Sequence, residues 1–124
     1  MDVDKEVKEV YIKNLKHWKD LTCKIFEDWI ERSEKAKTVE ELMRIKKFLL
    51  LSYIDLFPLS GSECYFCIAK ELGKIKSCEK CPYGKENGFC YQPGSAWNVI
   101  RSKIEVLRNY VSAFYYKTKM EDLK

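Results

Sequence analysis

The feature that most constrains this chain is a group of five cysteines within one short segment: Cys64, Cys67, Cys78, Cys81 and Cys90. They form two Cys-x-x-Cys pairs separated by ten residues, and a single cysteine follows after eight intervening residues. A Cys-x-x-Cys turn brings two thiolates to one centre, and two such turns can surround a tetrahedral metal ion. The spacing therefore predicts a cross-link in this segment, made either by a metal or by disulfides.

Three kinds of cross-link fit the spacing, and zinc held by thiolates is preferred. In a reducing compartment, paired Cys-x-x-Cys motifs favour a metal over disulfides. An iron–sulfur cluster also takes four thiolates, and Pro82 directly after Cys81 matches the pattern of bacterial ferredoxins. Two disulfides would leave one thiol free and would suit a chain from a hyperthermophile or its virus, where intracellular disulfides occur.

We expect four of the five clustered cysteines to share one centre. Both Cys-x-x-Cys pairs are the first choice, because each pair closes a small chelate turn. Cys90 is the reserve ligand, since Gly88 permits a tight turn just before it. Cys23 is expected outside the site as a lone, partly buried thiol, and the only histidine, His17, as a surface or packing residue.

The segment from Cys64 to Cys90, called the cassette below, resembles one found in small uncharacterised phage and archaeal proteins that are rich in cysteine. That pattern has a Cys-Pro-x-Cys-like pair, then Cys-x-x-Cys-Pro, then a Gly-x-Cys or Gly-Cys. The matching residues here are Cys64, Cys67, Cys78, Cys81, Pro82, Gly88 and Cys90. The chain departs from the pattern at Tyr65, where proline is frequent, and the resemblance covers about a quarter of its length. It implies no activity and transfers no functional residue.

Long amphipathic helices are predicted on both sides of the cassette. The first extends over residues 4 to about 35, the second opens at the capping box Thr38–Glu41 and ends before Pro58, and the third extends from Ser95 to about Lys117. The first apolar stripe is Val7, Tyr11, Leu15, Trp18, Ile25 and Trp29. The second is Leu42, Ile45, Phe48, Leu49, Ser52, Tyr53 and Leu56. The third is Trp97, Ile100, Ile104, Leu107, Val111 and Phe114.

The segment between the second and third helices has a different composition and contains most of the glycines. Ser62 is the predicted N-cap of a short helix over Cys64 to Leu72 that stops at Gly73, and residues 75–89 are predicted to be turns. Together these patterns predict an all-α domain over 1–124. Its three long helices form a bundle, and a Cys-rich, loop-rich insert (about 59–94) lies between the second and third. Residues 120–124 are predicted to be a frayed polar tail.

Charge gives a weak indication of partners. The chain has 23 basic and 19 acidic residues, and both signs are interspersed, which is typical of a solvated surface more than of a nucleic-acid interface. The N-terminus lacks the basic start and apolar run of a signal peptide, and the longest apolar run is too short to cross a membrane. We therefore expect a soluble, cytoplasmic protein without a membrane partner.

Enzyme classes find little support in the sequence, which favours a non-enzymatic role. It has no Gly-rich phosphate loop, no second histidine for a hydrolytic metal centre, and no strand pattern before Cys64 that would suit a thioredoxin-like redox pair. The prediction is a small binding, adaptor or regulatory protein, with a protein or nucleic-acid partner and a structural cysteine cassette. The alternative is an iron–sulfur or thiol redox protein.

Aromatic residues are concentrated in the cassette: Tyr65, Phe66, Tyr83, Phe89 and Tyr91. Beside the lysines at positions 74, 76, 80 and 85 they could stack nucleic-acid bases. The preferred interpretation is a small core that covers the cross-link.

Overall fold

The computed structural model describes residues 1–115 of the chain. These residues form α-helices joined by short 3₁₀ turns at Gly61–Glu63 and Cys78–Lys80, and contain no β-strand. The helices are α1 (Lys5–Lys35), α2 (Val39–Asp55), α3 (Tyr65–Glu71), α4 (Pro82–Asn87) and α5 (Ala96–Phe114). The predicted all-α class is therefore confirmed.

The chain divides into two compact units. The first unit contains Met1–Trp18 and Pro58–Lys103, and the second contains Lys19–Phe57 and Ile104–Lys124. All five clustered cysteines belong to the first unit. The bundle of three long helices and the single domain over 1–124 stay predictions.

Helix α1 begins where the sequence predicts. The N–H of Val7 donates to the Asp4 carboxylate at 3.1 Å, which caps the first turn. Val7 is fully buried, and the other predicted apolar positions of this helix are half-buried. His17 is exposed, in line with its surface interpretation. Cys23 is exposed too, so the expectation of a partly buried thiol is wrong, because this residue lies off the apolar stripe.

The capping box of α2 forms with one change. The N–H of Glu41 donates to Thr38 Oγ1 at 3.1 Å, as predicted. The Glu41 carboxylate accepts from the N–H of Lys37 at 3.2 Å, one residue before the predicted donor. The helix ends at Asp55 with Leu56 as its C-cap, ahead of Pro58.

The buried side of α2 differs from the predicted stripe. Leu49 is buried as expected, but Lys47, Leu51 and Ile54 are buried as well, whereas Leu42 is 43% exposed. The run of leucines at positions 49–51 fits more than one helical face, so the sequence alone does not show which face is covered.

The core of the second unit is formed by three buried residues from α2 and α5. Leu51 and Ile54 pack with Val111, and Arg108 Nε donates to Asp55 Oδ1 at 2.7 Å beside them. The rest of the predicted stripe of α5 is less covered than expected. Ile100, Leu107 and Phe114 are 46%, 48% and 62% exposed, respectively. Burial is concentrated on the side of α5 that carries Val111.

Two sequence predictions extend past the described residues. The predicted third helix continues to about Lys117, and the predicted frayed tail covers residues 120–124. The described helix ends at Phe114, and positions 116–124 lie outside the described residues.

The cap at Thr38 gives a first prediction. Thr38→Ala removes the acceptor for the Glu41 N–H and should lower the free energy of unfolding by about 1 kcal/mol. Thr38→Ser keeps the hydroxyl and should cost much less. Urea unfolding followed by circular dichroism measures both, and an equal loss in the two variants would contradict the capping role.

Candidate functional site

The chain enters the cysteine segment through a 3₁₀ turn. The Ser60 hydroxyl accepts from the N–H of Ser62 at 3.2 Å and donates to the Glu63 carboxylate. Cys64 then occupies the N-cap position of α3. The prediction of Ser62 as the N-cap of this helix is wrong, because Ser60 caps a separate turn that contains Ser62.

Helix α3 is held in place by burial against α1. Ile68 and Ala69 form a small core with Val7, and half-buried apolar residues pack around it. The N–H of Asp4 donates to the Tyr65 hydroxyl at 2.7 Å on the same helix. Since Cys64 and Cys67 lie at the start of α3, these contacts fix the backbone from which the first pair of thiols projects.

The second pair has a related backbone arrangement. Cys78 begins a 3₁₀ turn, and Cys81 is the N-cap of α4, with Pro82 at the first helical position. Proline is favoured there because the first N–H of a helix has no partner within the helix. The prediction that residues 75–89 contain only turns is therefore wrong, since six of them form α4.

Two glycines let the chain return to Cys90. Gly88 has φ of +83°, a conformation that favours glycine, and thereby confirms the predicted tight turn. Gly84 lies under the Phe89 ring, where an added Cβ would come within 2.5 Å of Cδ1. The buried Ser95 donates to the Cys90 carbonyl at 3.4 Å and accepts from the N–H of Asn98 at 3.2 Å, so it also caps α5 as predicted.

The five clustered thiols lie near one another. The pKa of Cys67 is raised to about 12, mainly by burial, with smaller contributions from the neighbouring Cys64, Cys90 and Cys81 in that order. Burial likewise raises the pKa of Cys90, with additional contributions from Cys64, Cys81 and Cys78. All the predicted site residues therefore influence the ionisation of a shared cluster.

Cys78 differs from the other four thiols in its surroundings. It is exposed, whereas the others are half-buried. The ammonium of Lys70 donates to its sulfur at 3.4 Å, and this bond raises the pKa of Lys70. Sequence reasoning missed this lysine, although its position about one helical turn after Cys67 could have indicated that it lies near the thiols.

The cluster is not arranged as a coordination site. All six cysteines of the chain are free thiols. Within residues 1–115, no group of three or more His, Cys, Asp or Glu side chains is placed so that it could hold a metal ion. The thiols are thus brought together without being directed at one point.

Aromatic rings surround the cluster. A pocket of about 360 Å³ is lined by three of the cysteines (positions 64, 67 and 90) together with Phe66, Tyr83 and Trp97. The indole N–H of Trp97 donates to the Leu59 carbonyl at 2.8 Å, which ties the start of α5 to this wall. Sequence reasoning assigned Trp97 only to a helix stripe and did not connect it with the cysteines.

The other ring pair of the cassette is more open. Phe89 and Tyr91 stack with centroids 5.9 Å apart, and Tyr91 is 59% exposed. Phe89 packs on Gly84, and a small core that covers the cross-link stays a prediction. Of the four lysines that the sequence places near the aromatic residues of the segment, Lys74 pairs with Asp4 and Glu6 at 3.6 and 3.3 Å.

Comparison of the chain with models of protein families, with curated proteins and with solved structures gave no match. In the described part of the chain, no helix has the length and apolar character needed to span a membrane. The cysteine cluster and the pockets beside it are therefore the features from which a function has to be inferred.

The contact between Gly84 and Phe89 gives a second prediction. Gly84→Ala should destabilise the first unit by about 1–3 kcal/mol, because the new methyl group overlaps the ring. In a Phe89→Leu background the same change should cost less, since the smaller side chain leaves room. Thermal unfolding of the original chain, the two single variants and the double variant gives the coupling free energy between the two positions. An equal cost of Gly84→Ala in both backgrounds would contradict the close packing.

Proposed function

We propose that this protein is a small, non-enzymatic binding or adaptor protein of the cytoplasm whose cysteine cluster holds a structural zinc ion. The observation that carries the proposal is that Cys64, Cys67 and Cys90 line one pocket, and that Cys64 and Cys81 raise the pKa of both Cys67 and Cys90. Thiols scattered over a surface would not act on common neighbours in this way.

A bound cation would offset the effects that raise the pKa values of these thiols. Burial and neighbouring thiols both disfavour the thiolate of Cys67. A divalent metal ion would offset both effects, because a coordinated thiol is deprotonated by the charge of the metal. Zinc suits an all-sulfur site without histidine, and it supplies a cross-link without redox chemistry. Coordination would require the thiol side chains to turn toward one point.

The surroundings of the thiols favour one set of four ligands. Cys64, Cys90 and Cys81 each act on Cys67, whereas Cys78 is exposed and hydrogen-bonded to Lys70. We therefore propose Cys90 as the fourth ligand in place of Cys78. The choice of both Cys-x-x-Cys pairs stays the competing prediction, and the two sets differ in a single residue.

A structural role follows from how little else stabilises this part of the chain. Helices α3 and α4 have seven and six residues, and isolated helices of that length are unstable in water. The buried cluster of the first unit consists of Val7, Ile68 and Ala69. A cross-link between α3, α4 and the segment before α5 would supply stability that so small a core lacks.

Cysteine substitutions give a third prediction. Cys81→Ser and Cys90→Ser should lower the zinc content of the purified protein severalfold, whereas Cys78→Ser should retain close to one zinc per chain. Cys23→Ser is the matched control, because this thiol is exposed and belongs to the second unit. Elemental analysis with a free-thiol count measures the effect. Zinc loss in Cys78→Ser but not in Cys90→Ser would favour the competing ligand set.

The same preparation separates the alternatives. A brown protein after anaerobic purification, with absorbance in the visible range, would indicate an iron–sulfur cluster instead of zinc and favour a redox role. A metal-free protein whose intact mass is lower by several hydrogens than that of the reduced chain would indicate disulfides. Equal zinc content in Cys81→Ser and Cys23→Ser would reject the metal site.

Metal removal gives a fourth prediction. Chelation should expose residues 59–94 to protease, because their folding is coupled to binding by the thiolates. Much of the helical signal in circular dichroism should remain, since α1 and α2 contain most of the helical residues and lie outside this segment. Protease cleavage that is unchanged by chelation would contradict a structural role for the metal.

A further inference from the structure

A second pocket in the first unit shares three aromatic residues with the pocket beside the cysteines. It has a volume of about 420 Å³ and is lined by the rings of Tyr65, Phe66 and Tyr83 and by the side chains of Asp2 and Glu86. It combines aromatic faces with carboxylates, a pairing that suits a cationic guest.

The three rings are held at different angles. Tyr65 and Phe66 are edge-on, with centroids 5.5 Å apart and planes at 86°, and Phe66 lies at 30° to Tyr83 with centroids 6.5 Å apart. The Tyr65 hydroxyl accepts the Asp4 N–H at 2.7 Å, which fixes that ring. All three rings are half-buried, and all three line the pocket. Ring faces carry partial negative charge, which attracts cations.

Carboxylates outnumber cations around the pocket. Asp2 and Glu86 contribute carboxylates, Met1 contributes the N-terminal ammonium, and the described residues that line the pocket include no lysine or arginine. Neither carboxylate forms an ion pair within residues 1–115, whereas Asp4 and Glu6 nearby in sequence are paired with Lys74. Two carboxylates against one ammonium leave the pocket with a net negative charge, in a chain whose net charge is +4.

We propose that this pocket binds the methylated ammonium group of a lysine side chain on a partner protein. A methylated ammonium keeps its charge, carries apolar methyl groups that pack on rings, and is the guest for which aromatic cages are best suited. The carboxylates attract the positive charge of the guest, and this attraction does not require the guest to donate several hydrogen bonds. This inference rests on the proposed binding function and gives it a partner chemistry.

The test uses the full chain with any affinity tag at its C-terminus, so that Asp2 stays accessible. Tetramethylammonium and a short peptide with one trimethyl-lysine are titrated, and chemical shifts of the aromatic ring protons are followed by NMR. The same peptide with unmodified lysine should bind about tenfold more weakly. Choline and its neutral tert-butyl isostere, 3,3-dimethylbutanol, form a matched pair, and the neutral compound should also lose about tenfold.

Variants locate the guest. Tyr83→Leu keeps apolar volume but removes a ring face and should weaken binding by about three- to tenfold. Glu86→Gln changes only an exposed charge and should weaken it about two- to threefold, even if the Tyr83 variant proves unstable. Tyr91→Leu is the control, because this exposed ring does not line the pocket, and it should bind as the original chain does.

The outcomes test the pocket lined by Tyr65, Phe66 and Tyr83, called the cage below, separately from the metal site. Equal affinity for choline and its neutral isostere would reject a cationic guest and leave only an apolar pocket. Absence of ring shifts in a protein with full zinc content and native circular dichroism would reject the cage while the metal proposal stands. Selective binding of the trimethyl-lysine peptide by a protein that contains no metal would support the cage and reject the zinc site.

Discussion

The contact of Val7 with Ile68 and Ala69 is the interaction on which the first unit depends. It joins the start of α1 to a helix about sixty residues away, and the bond from the Asp4 N–H to Tyr65 lies on the same pair of helices. Burial of this kind is non-directional, so by itself it fixes α3 only loosely. The hydrogen bond and the pairs of Lys74 with Asp4 and Glu6 add the orientation. These contacts determine where the cysteines at the start of α3 lie.

At that position, packing and ionisation of the thiols oppose each other. Packing brings the thiols into a half-buried cluster, where burial and neighbouring sulfurs raise the pKa of Cys67 to about 12. In the metal-free protein, the raised pKa favours the neutral thiol, so its contribution to stability is present below the ordinary thiol pKa and is lost as pH rises toward 12. A bound cation would reverse this preference, because it stabilises the thiolate form. The same cluster is therefore a weak point at high pH without metal and, in the proposed state, a cross-link with it.

The sequence predicted the features that depend on a few neighbouring residues. The cap at Thr38, the cap at Ser95 and the turn at Gly88 all follow from local chemistry, and the structure has each of them. One error arises where two local solutions compete: Ser60 and Ser62 are both good caps, and the structure uses Ser60 to cap a separate 3₁₀ turn. Long-range features had no local signal. The bond from Lys70 to Cys78 and the position of Trp97 beside the cysteines depend on which surfaces meet after folding.

The proposed cross-link and the proposed cage share their backbone. Tyr65 and Phe66 are the two residues inside the first Cys-x-x-Cys pair, and Tyr83 follows the second pair by two positions. The Phe66 and Tyr83 rings lie 6.5 Å apart, and their separation depends on where the cysteine ends of α3 and α4 lie. A metal that fixed those ends would also fix the rings, and a guest in contact with the rings would in turn favour the metal-bound arrangement, since coupling between two sites is reciprocal. A structural site and a binding site within one short segment would then stabilise each other.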